Sequence, residues 1–306
     1  MKEIVLELNH PVTIDDFLCV AIGFFDGLHQ GHQALIEEVK RIAKDKGLKS
    51  AVMTFDQHPL TVLKGEKEFY LISPEDRKHL LEEQGIDYLF VIHFTHHVAK
   101  LEPQAFIKSY LENLHVMHLV CGFDFHFGYH NSGNVALLEK QSFALSVVPA
   151  VMYDESQKVS SSLIKEKIAQ GDVEEAKHLL GRPFAITGKV IHGKQRGRKM
   201  GFPTANVDYR HYFLPSKGVY GVNVQIGDHS YQGMANIGMN PTFDDIRKES
   251  LEVNIFDFDE EIYGEVITVS FKIFVRPERS FASMEDLKHQ LMSDHEKIQK
   301  ALNKTH

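Results

Sequence analysis

The stretch Gly23-Phe24-Phe25-Asp26-Gly27-Leu28-His29-Gln30-Gly31-His32 closes an apolar run and sets two imidazoles three residues apart among glycines. The run Phe17–Phe25, with Val20, Ile22 and Phe24, reads as a buried strand. Ala34, Leu35, Val39 and Ile42 then recur at helical spacing, with Glu and Lys between them. His29 and His32 therefore sit where a strand turns into a helix, beside unpaired N–H groups and the positive end of the helix dipole. An anion there meets backbone donors, two imidazoles and glycines small enough to let it approach, a geometry for handling phosphate. The same spacing also arises from two solvent-facing histidines, and the chain has 19 of them. Zinc would need a third or fourth ligand. Cys19 and Cys121 are isolated, with no Cys-x-x-Cys, which argues against a metal centre built on this pair.

A second candidate lies in Gly188–Asn206, GKVIHGKQRGRKMGFPTAN. Lys189, Lys194, Arg196, Arg198 and Lys199 occur there with no acidic residue among them, interleaved with Gly193 and Gly197. Cations neutralise a polyphosphate and glycines let backbone approach it, although a solvated basic hairpin would look the same. Thr204 and Asn206, at i and i+2, point to one face of a strand, and their oxygens suit Mg²⁺ shared with substrate phosphates. Glu252 alternates with Leu251 and Val253 on a polar strand face, and becomes a general base if that face meets the ligand.

The elements that must position these residues change character along the chain. Apolar runs at Phe17–Phe24, Ser50–Phe55, Tyr88–Phe94, Leu119–Gly122 and Ser146–Val151 alternate with helical stretches at Leu35–Lys46, Pro74–Gln84 and Pro103–Leu114. That alternation predicts a parallel sheet covered on both faces, with ligands beyond the strand C-termini. No Gly-x-Gly-x-x-Gly and no P-loop motif is present. A helical bridge follows, with Ser160, Ser161 and Ser162 placed to cap it and Gly181-Arg182-Pro183 to close it. Beyond residue 184 the period becomes two: Tyr220, Val222, Val224 and Ile226, then Ile267, Val269, Phe271, Ile273 and Val275. Short alternating strands between Gly, Pro and Asn turns predict an antiparallel barrel, and Ser283–Leu302 reads as a last helix. The expected division is therefore 1–183 and 184–306.

At 306 residues, with 43% hydrophobic and 25% charged residues, the chain has the composition of an ordinary soluble protein. A net charge of −8 argues against a general nucleic-acid binder. Two cysteines give no disulfide framework. Met1–His10 does not resemble a signal peptide, and no apolar run approaches the roughly 18 residues that cross a membrane. The expectation is a cytoplasmic protein.

GFFDGLHQGH, GRKMGFPTAN, KGVYGV, NIGMNPTF and LEVNIFDFDEEIYG stand in the order found in bacterial bifunctional riboflavin kinase/FMN adenylyltransferases (FAD synthetases), a family the chain resembles over essentially its whole length. The resemblance implies an α/β parallel-sheet, nucleotidylyltransferase-like (Rossmann-like) domain followed by an antiparallel β-barrel riboflavin-kinase-like domain with a C-terminal helix. It implies transfer of the γ-phosphoryl group of ATP to riboflavin in the barrel, and of AMP from a second ATP to FMN in the α/β domain. Small molecules (riboflavin, FMN, ATP) and Mg²⁺ are then the partners, with no nucleic acid, membrane or obligate protein partner.

By resemblance, Glu252 is the base of the kinase, Thr204 and Asn206 hold Mg²⁺ and phosphates, and Gly193–Arg198, with Lys194, Gly197 and Arg198, forms the nucleotide flap. Gly201 and Pro203 join the same nucleotide site. His29 and His32 stabilise charge during adenylyl transfer, and Gly23, Phe24, Asp26 and Asp124 bind the nucleotide. Phe55, His58, Pro59 and Arg276 correspond to flavin-binding positions. Ser160, Ser161, Ser162 and Lys165 stand where the family has Ser-Ser-Thr-x-Ile-Arg. Lys for Arg loses bidentate phosphate geometry. His126 and Tyr129 stand near positions where the family prefers Arg and Lys. These departures motivate an alternative: a riboflavin kinase with a weakened or regulatory adenylyltransferase-like domain. A non-catalytic flavin-binding barrel is a third reading, against which Glu252 speaks, since a pure binder needs no base.

Overall fold

The computed structural model describes residues 1–10, 12–65, 69–193, 201–241 and 247–305. The chain forms two compact units, one of Met1–Phe69 and Pro74–Ser160, the other of Tyr70–Ser73 and Ser161–His306. The change of period expected at 184 falls at the first barrel strand, and the two helices before it group with the second unit.

The first unit runs β1 (Lys2–Leu6), β2 (Leu18–Ile22), α1 (Gln30–Lys46), β3 (Lys49–Phe55), α2 (Pro59–Lys64), α3 (Pro74–Glu83), β4 (Tyr88–Ile92), α4 (His96–Ala99) and α5 (Pro103–Tyr110). It continues through β5 (Val116–Gly122), the short hairpin β6 (His126–Phe127) and β7 (Gly133–Asn134), α6 (Val135–Leu138) and β8 (Ala144–Val148). Six strands pair in parallel in the order β1-β4-β3-β2-β5-β8. Every residue of β2 is buried, as a strand covered on both faces requires. β1 was not among the expected strands, since its LysGluIleValLeu alternation is short and charged.

α1 forms because Leu35, Ile36, Val39, Ile42 and Ala43 share one buried face. Lys44 and Lys46 meet the negative end of its dipole, and Gly47 ends it at φ 65°, a conformation that favours glycine. The helix starts five residues earlier than the apolar pattern suggests, with His29 as the residue before its first turn.

Cys19 and Cys121 lie in β2 and β5, fully buried. Burial pushes their thiols up to about 12 and about 11. Ellman's reagent at about pH 8 is expected to react with neither in the native protein and with both after unfolding. Rapid labelling of either native thiol would contradict this packing.

The second unit begins with α7 (Ser161–Ala169) and α8 (Val173–Leu180), and Gly181 closes α8 at φ 74°. The strands β9 (Ala185–Ile191), β10 (Ala205–Asp208), β11 (Gly218–Ile226), β12 (His229–Pro241), β13 (Arg247–Ile255) and β14 (Val266–Pro277) follow, then α9 (Met284–Leu302). They close a barrel in the order β10-β13-β12-β11-β14-β9, every pair antiparallel. Val222, Val224, Val253, Ile267, Val269 and Phe271 are wholly buried, which is the period-two face read from the sequence. Ser283 caps α9 by accepting from the Asp286 N–H at 3.1 Å. The helix packs Ile298 and Leu302 with Val219, Met234 and Phe256 of the barrel.

Two candidate active sites

In the first unit, β3, β4 and β1 run outward on one side of β2, and β5 and β8 on the other. The strand order therefore reverses between β2 and β5, where open parallel sheets bind ligands. A cavity of about 520 Å³ opens there, lined among others by Gly23, Phe24, His29, His32, Asp124 and Lys158.

The turn that builds this cavity is unusual in its backbone. Phe25, Gly27 and Leu28 have φ of 55°, 82° and 45°, so two bulky residues occupy the left-handed region. Such conformations cost of order 1–3 kcal/mol each and persist only where the surroundings over-determine them. Phe25 and Leu28 are indeed completely buried. The payoff is the placement of the imidazoles. His29 and His32 stack with ring centroids 3.7 Å apart and planes at 20°, and Phe25 packs on His32 at 5.0 Å. A Cβ at Gly31 would lie 3.2 Å from the His29 ring, so the close approach depends on glycine.

Burial holds the His32 pKa well below the usual imidazole range, and the neighbouring His29 and Arg77 push it the same way. His32 is therefore a neutral ring. A neutral imidazole keeps one ring N–H, which it can donate to developing negative charge.

The opposite wall carries charge. Lys158 forms an ion pair with Asp124 and lies 5.1 Å from the centroid of Phe123. His126 Nδ1 is 2.8 Å from the Asp124 carbonyl. Phe55 and Ser160 also line the cavity. Asp26 is buried inside the turn rather than on the cavity wall. His58 precedes α2 and accepts from the Leu60 N–H at 3.2 Å, with Pro59 as the first helical residue. Ser161, Ser162 and Lys165 belong to α7 and group with the second unit.

In the barrel, Asn206 stands opposite Glu252, and Glu252 opposite Asn236, on three adjacent strands. Thr204 Oγ1 donates to Glu252 Oε2 at 3.4 Å. Thr204 lies just before β10 rather than in it, yet its hydroxyl and Asn206 still converge on Glu252. The reason is Asn254, 7% exposed, whose Nδ2 donates to the Pro203 carbonyl at 2.7 Å. Proline supplies no N–H to extend the ladder, and the Asn254 side chain takes over its carbonyl. Gly193 packs against the Asn206 amide with no room for a Cβ. Gly201 has φ 82°.

A second cavity of about 300 Å³ opens beside this row, lined by Pro203, Thr204, Val190, Ile255, Phe258 and Tyr263 among others. Glu252 and Asn206 are not on its wall, because they alternate with Val253 and Ala205, which are. Arg276 forms an ion pair with the fully buried Asp294 at 2.8 Å, fixing α9 to β14. Lys194, Gly197 and Arg198 lie outside the described residues.

The sequence reading missed Lys158, Arg77 and Asn236, and it placed Asn254 only on the face of Glu252. Lys158 and Arg77 look like ordinary solvent-facing cations in their segments, and only the tertiary fold turns them towards the site. Asn254 was legible as polar and paired in phase with Glu252, but not as a buried clamp.

Comparison with known proteins agrees with both halves. Residues 13–163 match the family model described as FAD synthetase, and residues 180–302 the one described as riboflavin kinase. The chain is 42% identical over 297 residues to the bifunctional riboflavin kinase/FMN adenylyltransferase of Listeria monocytogenes, covering 94% of each chain. It is likewise 42% identical to the Bacillus subtilis protein of that name, covering 90% of this chain and 89% of the relative. A solved structure from Streptococcus pneumoniae, named a macrolide-efflux protein, superposes with a TM-score of 0.87 at 34% identity, over 96% of this chain and 97% of that one. Among the described residues no helix is long and apolar enough to cross a membrane.

Proposed function

The chain belongs to the family of bifunctional riboflavin kinase/FMN adenylyltransferases, and we infer from the His29/His32 cavity and from the Thr204, Asn206 and Glu252 row that each unit carries one reaction. Riboflavin is phosphorylated by ATP to FMN, and FMN is adenylylated by ATP to FAD with release of pyrophosphate. The barrel takes the first reaction. Glu252 accepts the proton of the attacking riboflavin hydroxyl, and the row Asn206-Glu252-Asn236, with the Thr204 hydroxyl beside it, sets the polar face on which this happens. The observation that carries this reading is the convergence of Thr204 and Asn206 on that single carboxylate.

Mg²⁺ fits this donor set, which offers hydroxyl, amide and carboxylate oxygens and no sulfur or imidazole. Among the described residues no group of three or more His, Cys, Asp or Glu could by itself hold a metal ion. Thr204 and Asn206 would hold it, and when bound it neutralises charge on the transferring phosphoryl group.

Adenylyl transfer falls to the first unit. His29 and His32 face the nucleotide phosphates, and Lys158 supplies an ammonium to the same cavity. Lys158 thus gives this cavity a cation from the first unit's own chain, held by Asp124. The kinase-only alternative therefore gains nothing from the geometry, and the relatives match across both halves. Lys158→Met is expected to raise the KM for ATP in FAD formation about tenfold, as loss of one phosphate contact worth about 1.4 kcal/mol would. Lys158→Arg should keep it near the parent value, and an unchanged KM in Lys158→Met would remove Lys158 from the site.

Two buried, unpaired thiols fit a reducing compartment, which supports a cytoplasmic location. The direct test of the whole reading is incubation of the chain with riboflavin, ATP and Mg²⁺ while FMN and FAD are resolved over time. FMN followed by FAD is expected. FMN accumulating without FAD would sink the assignment of the first unit.

A further inference from the structure

Arg77 is 6% exposed on α3, a charged side chain among the most buried in the first unit. Its guanidinium reaches two backbone carbonyls: Nη1 donates to the Phe24 carbonyl at 3.0 Å and Nη2 to the Phe55 carbonyl at 3.3 Å. Thr54 Oγ1 donates to the same Phe24 carbonyl at 2.9 Å. Phe55 ends β3 and Phe24 lies two residues beyond β2, and both line the larger cavity. Immediately after Phe24 the chain enters its left-handed turn at Phe25, φ 55°, and four residues later reaches His29.

A turn with two bulky residues at positive φ relaxes unless its entry is held. The Phe24 carbonyl, with two donors on it, is that point of attachment. Arg77 also places a positive charge close enough to help keep His32 neutral. We propose that Arg77 is a positioning residue for adenylyl transfer: it ties the Phe24 and Phe55 carbonyls together and so fixes the turn that presents His29 and His32. This rests on the reading of that cavity as the adenylyl-transfer site. Arg77 lines no part of the cavity wall, so it acts through the turn and not by touching substrate. Its planar fork is what lets one side chain reach two carbonyls, which a lysine cannot do.

The test uses the full chain with Arg77→Met and Arg77→Lys, measuring FAD formation from FMN and FMN formation from riboflavin in the same samples. Arg77→Met is expected to lower kcat for FAD formation at least about tenfold, a misplacement effect, while KM for ATP changes by less than about threefold. Arg77→Lys, which keeps the charge and one carbonyl contact, should recover part of kcat. FMN formation should be unchanged in both, which shows that the chain is folded. A wild-type kcat in Arg77→Met would overturn the proposal, and so would a fall in kcat accompanied by an equal loss of FMN formation. If Arg77→Met does not fold, Arg77→Lys decides alone: a lowered kcat at unchanged KM supports the clamp, and parent kinetics overturn it. A readout independent of turnover is the ring ¹⁵N resonances of His29 and His32. They should shift in the variants, and unmoved resonances would end the proposal even if no FAD forms. Absence of FAD from the wild-type chain would instead remove the reading of the cavity.

Discussion

Replacing Glu252 by Gln is expected to abolish FMN formation, by about 10²–10⁴-fold in kcat, while FMN supplied from outside is still converted to FAD. The amide keeps the size of the carboxylate and can still accept from the Thr204 hydroxyl, which lies 3.4 Å from Glu252 Oε2. What it loses is the capacity to take a proton from an alcohol as the phosphoryl group arrives. The substitution leaves Leu251 and Val253, the buried neighbours in β13, untouched, so the barrel should remain closed. KM for riboflavin should change little, because a group needed only as charge develops appears in kcat. Full FMN formation by Glu252→Gln would move the base elsewhere. Loss of both products from a folded variant would contradict independent sites.

The barrel half was legible to a depth that the α/β half was not, and the reason is physical. A strand exposes its design in every second residue. Leu251, Val253 and Ile255 alternating with Glu252 and Asn254 state which side chains share a face, and the register opposite Asn206 follows once the strands pair. The His29/His32 pair was legible as a strand-to-helix junction for the same local reason.

What could not be read is whatever depends on distant chain. Arg77 is about fifty residues beyond the carbonyl it holds, and α3 carries Glu75, Asp76, Lys78 and Glu82 around it, so its burial has no signature in the segment. Lys158 meets Asp124 across 34 positions. Asn254 reaches back 51 positions to Pro203. Backbone strain at Phe25 and Leu28 is also silent in sequence, because both residues look like ordinary hydrophobic core. The strands Phe17–Phe24 and Ser146–Val151 prove shorter, Leu18–Ile22 and Ala144–Val148. Their apolar tails belong to the loops that follow, where Phe24 and Val151 line the cavity.

Replacing His32 by Ala should have the converse effect to the Glu252 change: FAD formation falls by about 10²–10³-fold in kcat, the usual loss of one donor to developing charge, and FMN formation persists. The imidazole is packed between His29 at 3.7 Å and Phe25 at 5.0 Å, so Ala also removes a wall of the turn. His32→Asn separates the two contributions, because it restores an N–H donor and part of the volume. Partial recovery in Asn, with kcat moving more than KM for ATP, identifies the donor as what matters. Equal loss in Ala and Asn would mean that the ring matters for packing.

The protonation state of His32 adds a constraint. Because its pKa is depressed by burial, His29 and Arg77, the folded chain leaves this ring neutral where an unfolded histidine would begin to charge. The unfolded state therefore binds more protons as the pH drops below about 6.5, and His32 draws stability away on acidification. Above about that pH, FAD formation should show no limb from His32, since the ring is already in the form that donates. An acid limb in kcat centred near the ordinary histidine value that disappears in His32→Asn would mean that His32 works as a cation, and the neutral-donor account of the turn would fail.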